Sequence, residues 1–232
     1  MDRLVALVPH TTVRRIQEMI RADELREGEL LPSQRELSER LDVSRSSLRE
    51  ALSVLETLGV VQTEPRRGTR VVAAEASAGP DLYRWRFGKR YSPSEVYQFR
   101  FVTEGHVARL AAMRASPAEL PALLQNLKDF KDAVREQDLV ASSQLDFGFH
   151  RLVMECSGNR VFADLYGSYG SVLLESQRLP LTQRERLWEP VTEHENVVQA
   201  IEKRDPDGAC YFMHVHITRA ADRSGIALSE TV

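Results

Sequence analysis

The sequence has few cysteines, no long apolar stretch and no excess of basic residues. Its two cysteines, Cys156 and Cys210, provide no disulfide framework, and reduced thiols in a cytoplasm are the simplest interpretation. No apolar run approaches the roughly 18 residues that a membrane-spanning helix needs, and Met1-Asp2-Arg3 does not begin a signal peptide. We therefore expect a cytoplasmic protein without a membrane partner.

The composition is that of a globular protein large enough for more than one core. The chain has 232 residues, of which 42% are hydrophobic and 28% are charged. This length is sufficient for two domains that each bury a core of their own.

Residues 31–58 predict two short helices joined by a turn. Ser33 and Glu36 have the spacing of a capping box at the start of the first helix. Ser44 is the predicted N-cap of the second helix, from Arg45 to Leu58. Because the second helix buries one leucine stripe, its first turn can present hydroxyls and cations to phosphates and base edges. These first-turn residues are Arg45, Ser46, Ser47 and Arg49.

A basic hairpin follows the second helix. Residues 60–63 and 69–72 predict paired strands, and residues 65–68 predict the turn between them, with Arg66 and Arg67 at its tip. Helix, turn, helix and arginine-tipped hairpin together predict a winged helix-turn-helix that binds double-stranded operator DNA. The net charge of −3 does not oppose this, because a local basic patch sets the affinity for phosphates.

The segments LPSQREL, VSRSSLREAL, LETLGVV and RRGTRVV closely resemble the winged-helix signature of GntR-type bacterial repressors. Gln34 stands where many members of that family have Glu, which casts little doubt on the fold. The resemblance implies that DNA contacts come from the first helix, the recognition helix and the glycine at the wing tip. We carry the family's DNA contacts over to this chain and add the wing arginines. The expected DNA-binding residues are then Arg35, Ser44, Arg45, Ser46, Ser47, Arg49, Arg66, Arg67 and Gly68.

The second half of the chain predicts helices only. We expect six helices from Ser94 onward, the second beginning at Pro117 and the fourth, from Asn159 to Arg178, broken or loosened near Gly167 and Gly170. The predicted fold class is mainly α, with the winged helix followed by an all-helical bundle of six to seven helices. The predicted domains are 1–75 for DNA binding, 76–92 as a linker and 93–232 as a helical effector-binding and dimerisation domain.

Four residues of this helical half can form a metal site. Asp146 and His150 are four residues apart on one predicted helix, and His194 and His216 lie on two others. Gathered at a bundle centre, they make a mixed nitrogen and oxygen site for a divalent metal such as zinc, nickel or manganese. Taken separately, such a pair is more often a helix-surface hydrogen bond, and such histidines are more often core residues with satisfied hydrogen bonds.

The segments LDFGFHRLVMECSGN, EHENVVQAIEKRD and ACYFMHVHI resemble the C-terminal helical domain, called FCD, of the FadR-type branch of the same family. The resemblance implies that Asp146, His150, His194 and His216 bind a metal at the base of an effector cavity. It also implies that Arg100 grips a carboxylate of the effector. From the residues alone, Arg100 is equally a partner of Glu104 in an intrahelical ion pair.

These expectations combine into a ligand-responsive transcriptional regulator, a repressor that acts as a homodimer on operator DNA. The expected effector is a small carboxylate, either an organic acid or a sugar acid, bound beside a divalent metal. A metal-dependent hydrolase and a regulator with a purely structural metal site are the alternatives. We expect no enzyme activity, because no nucleophile motif or phosphate-binding loop is present in the sequence.

Overall fold

The computed structural model describes residues 10–21, 25, 28–58, 60–64, 67–72, 85, 87–178 and 180–228. The chain divides into two compact units, residues 1–84 and 85–232. The division falls inside the predicted linker, most of which lies outside the described residues, as does the predicted DNA contact Arg66.

The first unit contains three helices and a hairpin. Its elements are α1 (His10–Arg21), α2 (Gln34–Arg40), α3 (Arg45–Thr57), β1 (Val61–Glu64) and β2 (Gly68–Val71). Helices α1 and α2 both pack against α3. Ile16, Leu37 and Leu48, one from each helix, are fully buried where they meet. This is the predicted helix-turn-helix on a three-helix core.

The caps and the wing of this unit follow from local chemistry. Ser33 and Glu36 form the predicted capping box, with Glu36 Oε2 accepting from Ser33 N at 2.9 Å. Ser44 Oγ accepts from Ser47 N at 3.1 Å and so caps α3. The two strands are antiparallel with Glu64 opposite Gly68, whose φ of 102° lies in the region that favours glycine. Both strands are shifted by one residue from their predicted bounds.

All regular secondary structure described in the second unit is helical, and the described residues there include no strand. Its helices are α4 (Pro93–Arg114), α5 (Leu120–Arg135), α6 (Leu139–Cys156), α7 (Arg160–Ser168), α8 (Gly170–Arg178), α9 (Trp188–Glu202) and α10 (Pro206–Arg223). Short 3-10 turns at Pro180–Thr182 and Arg184–Arg186 join α8 to α9. Within the described ranges this gives seven helices, as the predicted bundle of six to seven requires. None of them is both long enough and apolar enough to cross a membrane.

Two predicted helix starts in this unit were wrong. Helix α4 is capped by Ser92, not begun by Ser94, because Ser92 forms a capping box with Glu95. Helix α5 begins at Leu120 after a turn over residues 117–119, so Pro117 precedes the helix. The predicted break in the fourth helix is confirmed, because α7 and α8 are interrupted at Tyr169 between the two glycines.

The packing of this unit brings four helices around one interior point. Helix α4 packs against α10 and α6, and α10 also packs against α9. Gly105 of α4 lets α10 approach closely, because a Cβ there would lie 2.0 Å from Nε2 of His214. The inner faces of α4, α6, α9 and α10 carry the buried polar residues of the next subsection.

Candidate nucleic-acid interface and metal centre

The predicted DNA contacts that the structure describes are accessible in the first unit. Arg35, Arg45, Arg49, Arg67 and Gly68 are all exposed. They lie on α2, on the first turns of α3 and at the start of β2. The arrangement of α2, a turn, α3 and the wing is the one that winged helix-turn-helix proteins use to read a major groove.

The exposed arginines of this unit have partners within the chain. Arg35 Nε lies 3.3 Å from Glu39 Oε1, and Arg49 Nε donates to the carbonyl of Arg45. Arg67 Nη1 lies 3.3 Å from Glu64 Oε2. Such exposed pairs contribute only about 0–1 kcal/mol, so phosphates can replace them.

The three serines at the start of α3 contact one another through their hydroxyls. The sequence predicted a structural role, that of the helix cap, only for Ser44. Oγ of Ser44 caps the helix and lies 2.8 Å from Oγ of Ser46 and 2.9 Å from Oγ of Ser47. Ser44 and Ser46 are exposed, and Ser47 is half-buried. The three hydroxyls therefore form one cluster at the helix N-terminus, where backbone N–H groups favour an anion.

In the second unit the four predicted metal ligands meet in the interior. Asp146 and His150 come from α6, His194 from α9 and His216 from α10, and all four are buried. One donor atom from each lies within 4.8 Å of the other three. A divalent metal about 2 Å from each donor needs donors roughly 3–4 Å apart, which small side-chain movements provide.

Two of the three histidines contact buried glutamates. Nδ1 of His216 shares a hydrogen bond of 2.8 Å with Oε2 of Glu193, and Nδ1 of His150 lies 2.6 Å from Oε2 of Glu104 in a contact that lacks hydrogen-bond geometry. Each contact leaves the other ring nitrogen, Nε2, facing the cluster, and the two Nε2 atoms are 3.2 Å apart. A carboxylate behind a histidine is the usual companion of a metal ligand, because it fixes the proton on the far nitrogen.

Each of these glutamates is paired with a buried arginine. Arg100 Nε donates to Glu104 at 2.9 Å, and Arg223 donates to both oxygens of Glu193 at 2.8 Å. Burial opposes ionisation of Glu104, but Arg100 and His150 outweigh it and lower its pKa from 4.5 to about 2. Burial likewise opposes ionisation of Glu193, whose pKa Arg223 and His216 lower to about 2. Both glutamates are thus charged and balanced by arginines.

His194 differs from the other two histidines. Burial first, and then the neighbouring His216 and His150, lower its pKa well below 6.5, so the ring is neutral. Neither of its ring nitrogens has a hydrogen-bond partner within the described part of the chain, although Nε2 lies 3.4 Å from Asp146 Oδ1. The ring stacks on Phe149 with centroids 3.8 Å apart. A buried neutral imidazole with free nitrogens can act as a metal ligand.

The residues fit a divalent cation. Nε2 of His150 and Nε2 of His216 are 3.2 Å apart, so one ring can donate to the other, and with protons on both Nδ1 atoms the two lone pairs face a common point where a cation can bind. Since the glutamates are balanced by arginines, the carboxylate of Asp146 faces three imidazoles as the remaining negative charge. His194 adds a third free nitrogen donor. This donor set suits zinc, nickel or manganese.

Arg100 forms the intrahelical ion pair that its spacing from Glu104 predicted, and its guanidinium also lies beside the histidine cluster. It pairs with Glu104 four residues along α4, and both side chains are buried. Its Nη2 also lies 3.4 Å from Nε2 of His150, and its Nη1 lies 3.5 Å from Oγ of Ser176. The guanidinium therefore borders the candidate metal centre.

Other side chains near the cluster do not join it. His214 stacks on Phe101 with ring centroids 4.0 Å apart. Asn159 caps α7 by accepting from Val161 N, as predicted. Glu193 and Arg223 were not singled out from the sequence, although Arg223 follows His216 by seven residues and so shares its helix face.

Comparison with known proteins identifies the family. The family profile described as bacterial regulatory proteins, gntR family, matches residues 10–71, and the FCD domain profile matches residues 95–219. The chain is 30% identical over 213 residues to the HTH-type transcriptional regulator LutR of Bacillus subtilis (strain 168), covering 88% of this chain and 95% of that protein. The chain belongs to the GntR family of transcriptional regulators and carries an FCD domain.

Further relatives agree with this GntR assignment. The HTH-type transcriptional repressor NanR of Citrobacter rodentium (strain ICC168) is 30% identical over 211 residues, covering 87% of this chain and 79% of that protein. A solved structure, Streptococcus agalactiae GntR, matches with a TM-score of 0.50 and 27% identity, covering 93% of this chain and all of that one. The winged helix of this GntR regulator is therefore a DNA-binding unit, and its FCD unit contains the buried histidine cluster.

Proposed function

We propose that this GntR regulator is a repressor whose FCD unit binds a divalent metal and a small organic acid or sugar acid. The metal ligands are Asp146, His150, His194 and His216, and the acid controls binding of the winged helix to operator DNA. The observation that supports this most strongly is the buried cluster itself, in which three imidazoles and a carboxylate converge. We also propose domain bounds of 1–75, 76–92 and 93–232.

The effector class follows from the chemistry around the cluster. An acid with a neighbouring hydroxyl can bind a metal through two oxygens, provided that the metal keeps two free positions. A six-coordinate ion such as nickel or manganese keeps them beside four protein ligands, whereas four-coordinate zinc has no free position and must release two of those ligands. Arg100, which borders the cluster, can then bind a second carboxylate oxygen with its planar guanidinium.

A purely structural metal is the second candidate, favoured by the burial of all four ligands. Closed structural zinc sites also have four protein ligands. The two candidates differ in what a loss of the metal does. A sensor loses its response to the acid, whereas a structural site loses the fold of the FCD unit.

The test uses the full chain and the paired substitutions His194→Ala and His216→Ala. Metal content, helical signal and gel-shift affinity for a promoter fragment near its own gene are measured with and without small acids. We expect the double variant to lose metal and acid response but to keep operator binding. Loss of the helical signal supports the structural candidate, and metal-free wild-type protein that responds to an acid contradicts the proposed site.

The acid-binding role of Arg100 has its own test. Arg100→Lys keeps the positive charge but cannot bind a carboxylate through two parallel hydrogen bonds. Metal is supplied at saturation, because Arg100 also pairs with Glu104 beside His150. With metal bound, we expect a weaker thermal stabilisation by the active acid, since a ligand stabilises the folded state by mass action. Equal stabilisation of the variant and the wild type by that acid contradicts the role.

We further propose a homodimer formed through α4 and α7. Val102 of α4 is 66% exposed and Val161 of α7 is 71% exposed. Side chains of the two helices meet, as His106 and Phe162 have ring centroids 6.0 Å apart. Exposed apolar residues that cluster in this way are typical of protein interfaces, and two winged helices are needed for a palindromic operator.

Charge placed on this surface tests the dimer. We expect Val102→Glu and Val161→Glu to sediment as monomers and to bind a full operator more weakly. Leu124→Glu is the matched control, because Leu124 is an exposed apolar residue on α5. A wild-type protein that sediments as a monomer contradicts the proposal, as does a dimer that persists in both valine variants.

A further inference from the structure

A line of ion pairs runs from His216 to the surface of the FCD unit. Beyond Glu193, Arg223 also donates to Glu189 Oε2 at 2.9 Å. Glu189 in turn accepts from Arg186 at 2.7 and 2.9 Å. The side chain of Arg223 is fully buried, whereas those of Glu189 and Arg186 are partly exposed. The line therefore starts in solvent and ends on a candidate metal ligand.

Glu193 of α9 contacts two residues of α10, His216 and Arg223. Glu193 directly precedes His194, so α9 supplies one candidate ligand and the carboxylate that holds another. Arg223 lies seven residues after His216, so both project from the same face of α10. His216 and Arg223 of α10 thus both bind the carboxylate of Glu193 on α9.

The geometry at Glu193 determines which nitrogen of His216 faces the cluster. The two Nη atoms of Arg223 occupy one edge of the carboxylate, at 2.8 Å from each oxygen. Oε2 of Glu193 accepts from His216 as well, at 2.8 Å, which requires the imidazole proton on Nδ1. Nε2 of His216 then carries a lone pair and points toward His150.

We infer that Arg223, acting through Glu193, is a positioning residue that holds His216 in the tautomer that binds the metal. This inference rests on the proposed metal site. Without Arg223, the buried carboxylate lacks its opposite charge and can rotate away from the ring. His216 can then place its proton on Nε2, which removes the lone pair that a cation needs.

A neighbouring arginine provides the matched control. Arg219 lies on the same helix and approaches the same carboxylate, with Nη1 3.8 Å from Glu193 Oε1. It is 60% exposed and makes no bidentate contact with that carboxylate. An exposed pair of this kind contributes little, so Arg219→Gln removes a positive charge near Glu193 without breaking the line.

The experiment measures zinc affinity of the full chain by competition with a chromogenic chelator. The variants are Glu193→Gln, Arg223→Lys and the control Arg219→Gln. We expect zinc affinity to fall by about 10- to 100-fold in the first two and to stay unchanged in the control, as for other residues behind metal ligands. Arg223→Lys keeps the positive charge but loses the bidentate contact. A fall in zinc affinity in this variant therefore reports the bidentate contact and not the charge. Helical content and urea midpoints are measured for each variant.

A second readout separates positioning from general stability. NMR of the imidazole nitrogens reports which nitrogen of His216 is protonated in metal-free protein. We expect protonation at Nδ1 in the wild type and the control, and a shift toward Nε2 in Glu193→Gln and Arg223→Lys. An unchanged tautomer and unchanged zinc affinity in folded variants overturn the inference. Wild-type protein that binds no zinc, nickel or manganese overturns the proposed metal site, while the tautomer measurement still tests the role of Arg223.

Discussion

At the scale of single residues, Arg100 illustrates what spacing can and cannot predict. Its position four residues before Glu104 predicted an intrahelical pair, and the structure contains that pair. On an exposed helix such a pair contributes only a few tenths of a kcal/mol. Here both partners are buried beside His150, so their charges are much less screened. The spacing predicted the contact. The burial that strengthens the interaction between the two charges depends on the packing of α4 against α6, which the spacing does not reveal.

The residues behind the metal ligands were harder to predict for the same reason. The four ligands could be chosen because carboxylate and imidazole groups have specific metal chemistry and match a family pattern. Glu193 and Arg223 are common surface residue types, and their pairing joins positions that are 30 residues apart. Only the packing of α9 against α10 brings them together.

Arg49 provides a prediction for the recognition helix at this scale. It is exposed on α3, and its Nε donates to the carbonyl of Arg45, so its guanidinium can reach a base edge. We expect Arg49→Ala to weaken operator binding by roughly 1–3 kcal/mol in a gel shift at fixed salt. Arg14→Ala, on the exposed face of α1, is the control. Equal operator affinity of the Arg49 variant and the wild type would refute the contact.

At the scale of elements, the sequence predicted helices well where a capping residue was unambiguous. Ser33 and Ser44 cap the helices that they were expected to cap, and Asn159 caps the helix that was predicted to begin there. The prediction failed at α4, where Ser92 and Ser94 both precede the helical pattern and only Ser92 has a glutamate three residues later. Local hydrogen bonding therefore explains both the successes and the error.

The wing carries an element-scale prediction about DNA affinity. Glu64 of β1 pairs with Arg67 at 3.3 Å and with Arg70 at 3.1 Å, so one carboxylate engages two arginines of the hairpin. Glu64→Gln removes a negative charge beside the phosphates and releases both guanidiniums. We expect tighter operator binding and a steeper dependence on salt, because each additional phosphate contact increases that slope by about 1.

The control for the wing is Glu18→Gln. Glu18 pairs with Arg14 on α1 in a similarly exposed contact, but outside the wing. We expect its operator affinity to match the wild type at every salt concentration. A Glu64 variant with the affinity and salt slope of the wild type would mean that the wing arginines do not contact DNA.

The contact of α4 with α10 carries a second element-scale prediction. Gly105 faces the ring of His214, which is stacked on Phe101 and cannot swing away freely. We expect Gly105→Ala to lower the free energy of unfolding by about 1–3 kcal/mol in urea, as overpacked cores do. Gly167→Ala on α7 is the control, since a Cβ there meets nothing within 4 Å. Removing the ring with His214→Ala should restore part of the loss, and a Gly105 variant as stable as the wild type would disprove the close contact.

At the scale of the whole molecule, function is divided between two compact units. The net charge of −3 describes neither unit's surface, because the exposed arginines of α2, α3 and the wing lie in the first unit. All four candidate metal ligands lie in the second. The winged-helix and FCD matches follow the same division. The two-part architecture was predictable because each part has its own sequence pattern, whereas the arrangement of α4, α6, α9 and α10 around one point was not.

This division predicts how metal binding changes thermal unfolding. Metal that binds only the folded FCD unit stabilises it by about 2.7 kcal/mol at 100 times the dissociation constant. For a unit of this size, that corresponds to a rise in Tm of roughly 5 to 10 °C. We expect calorimetry of the full chain with zinc to move the transition of residues 85–232 and to leave that of residues 1–84 in place. His194→Ala should abolish the shift. A shift of the winged-helix transition alone would contradict the division, because that unit contains none of the proposed ligands.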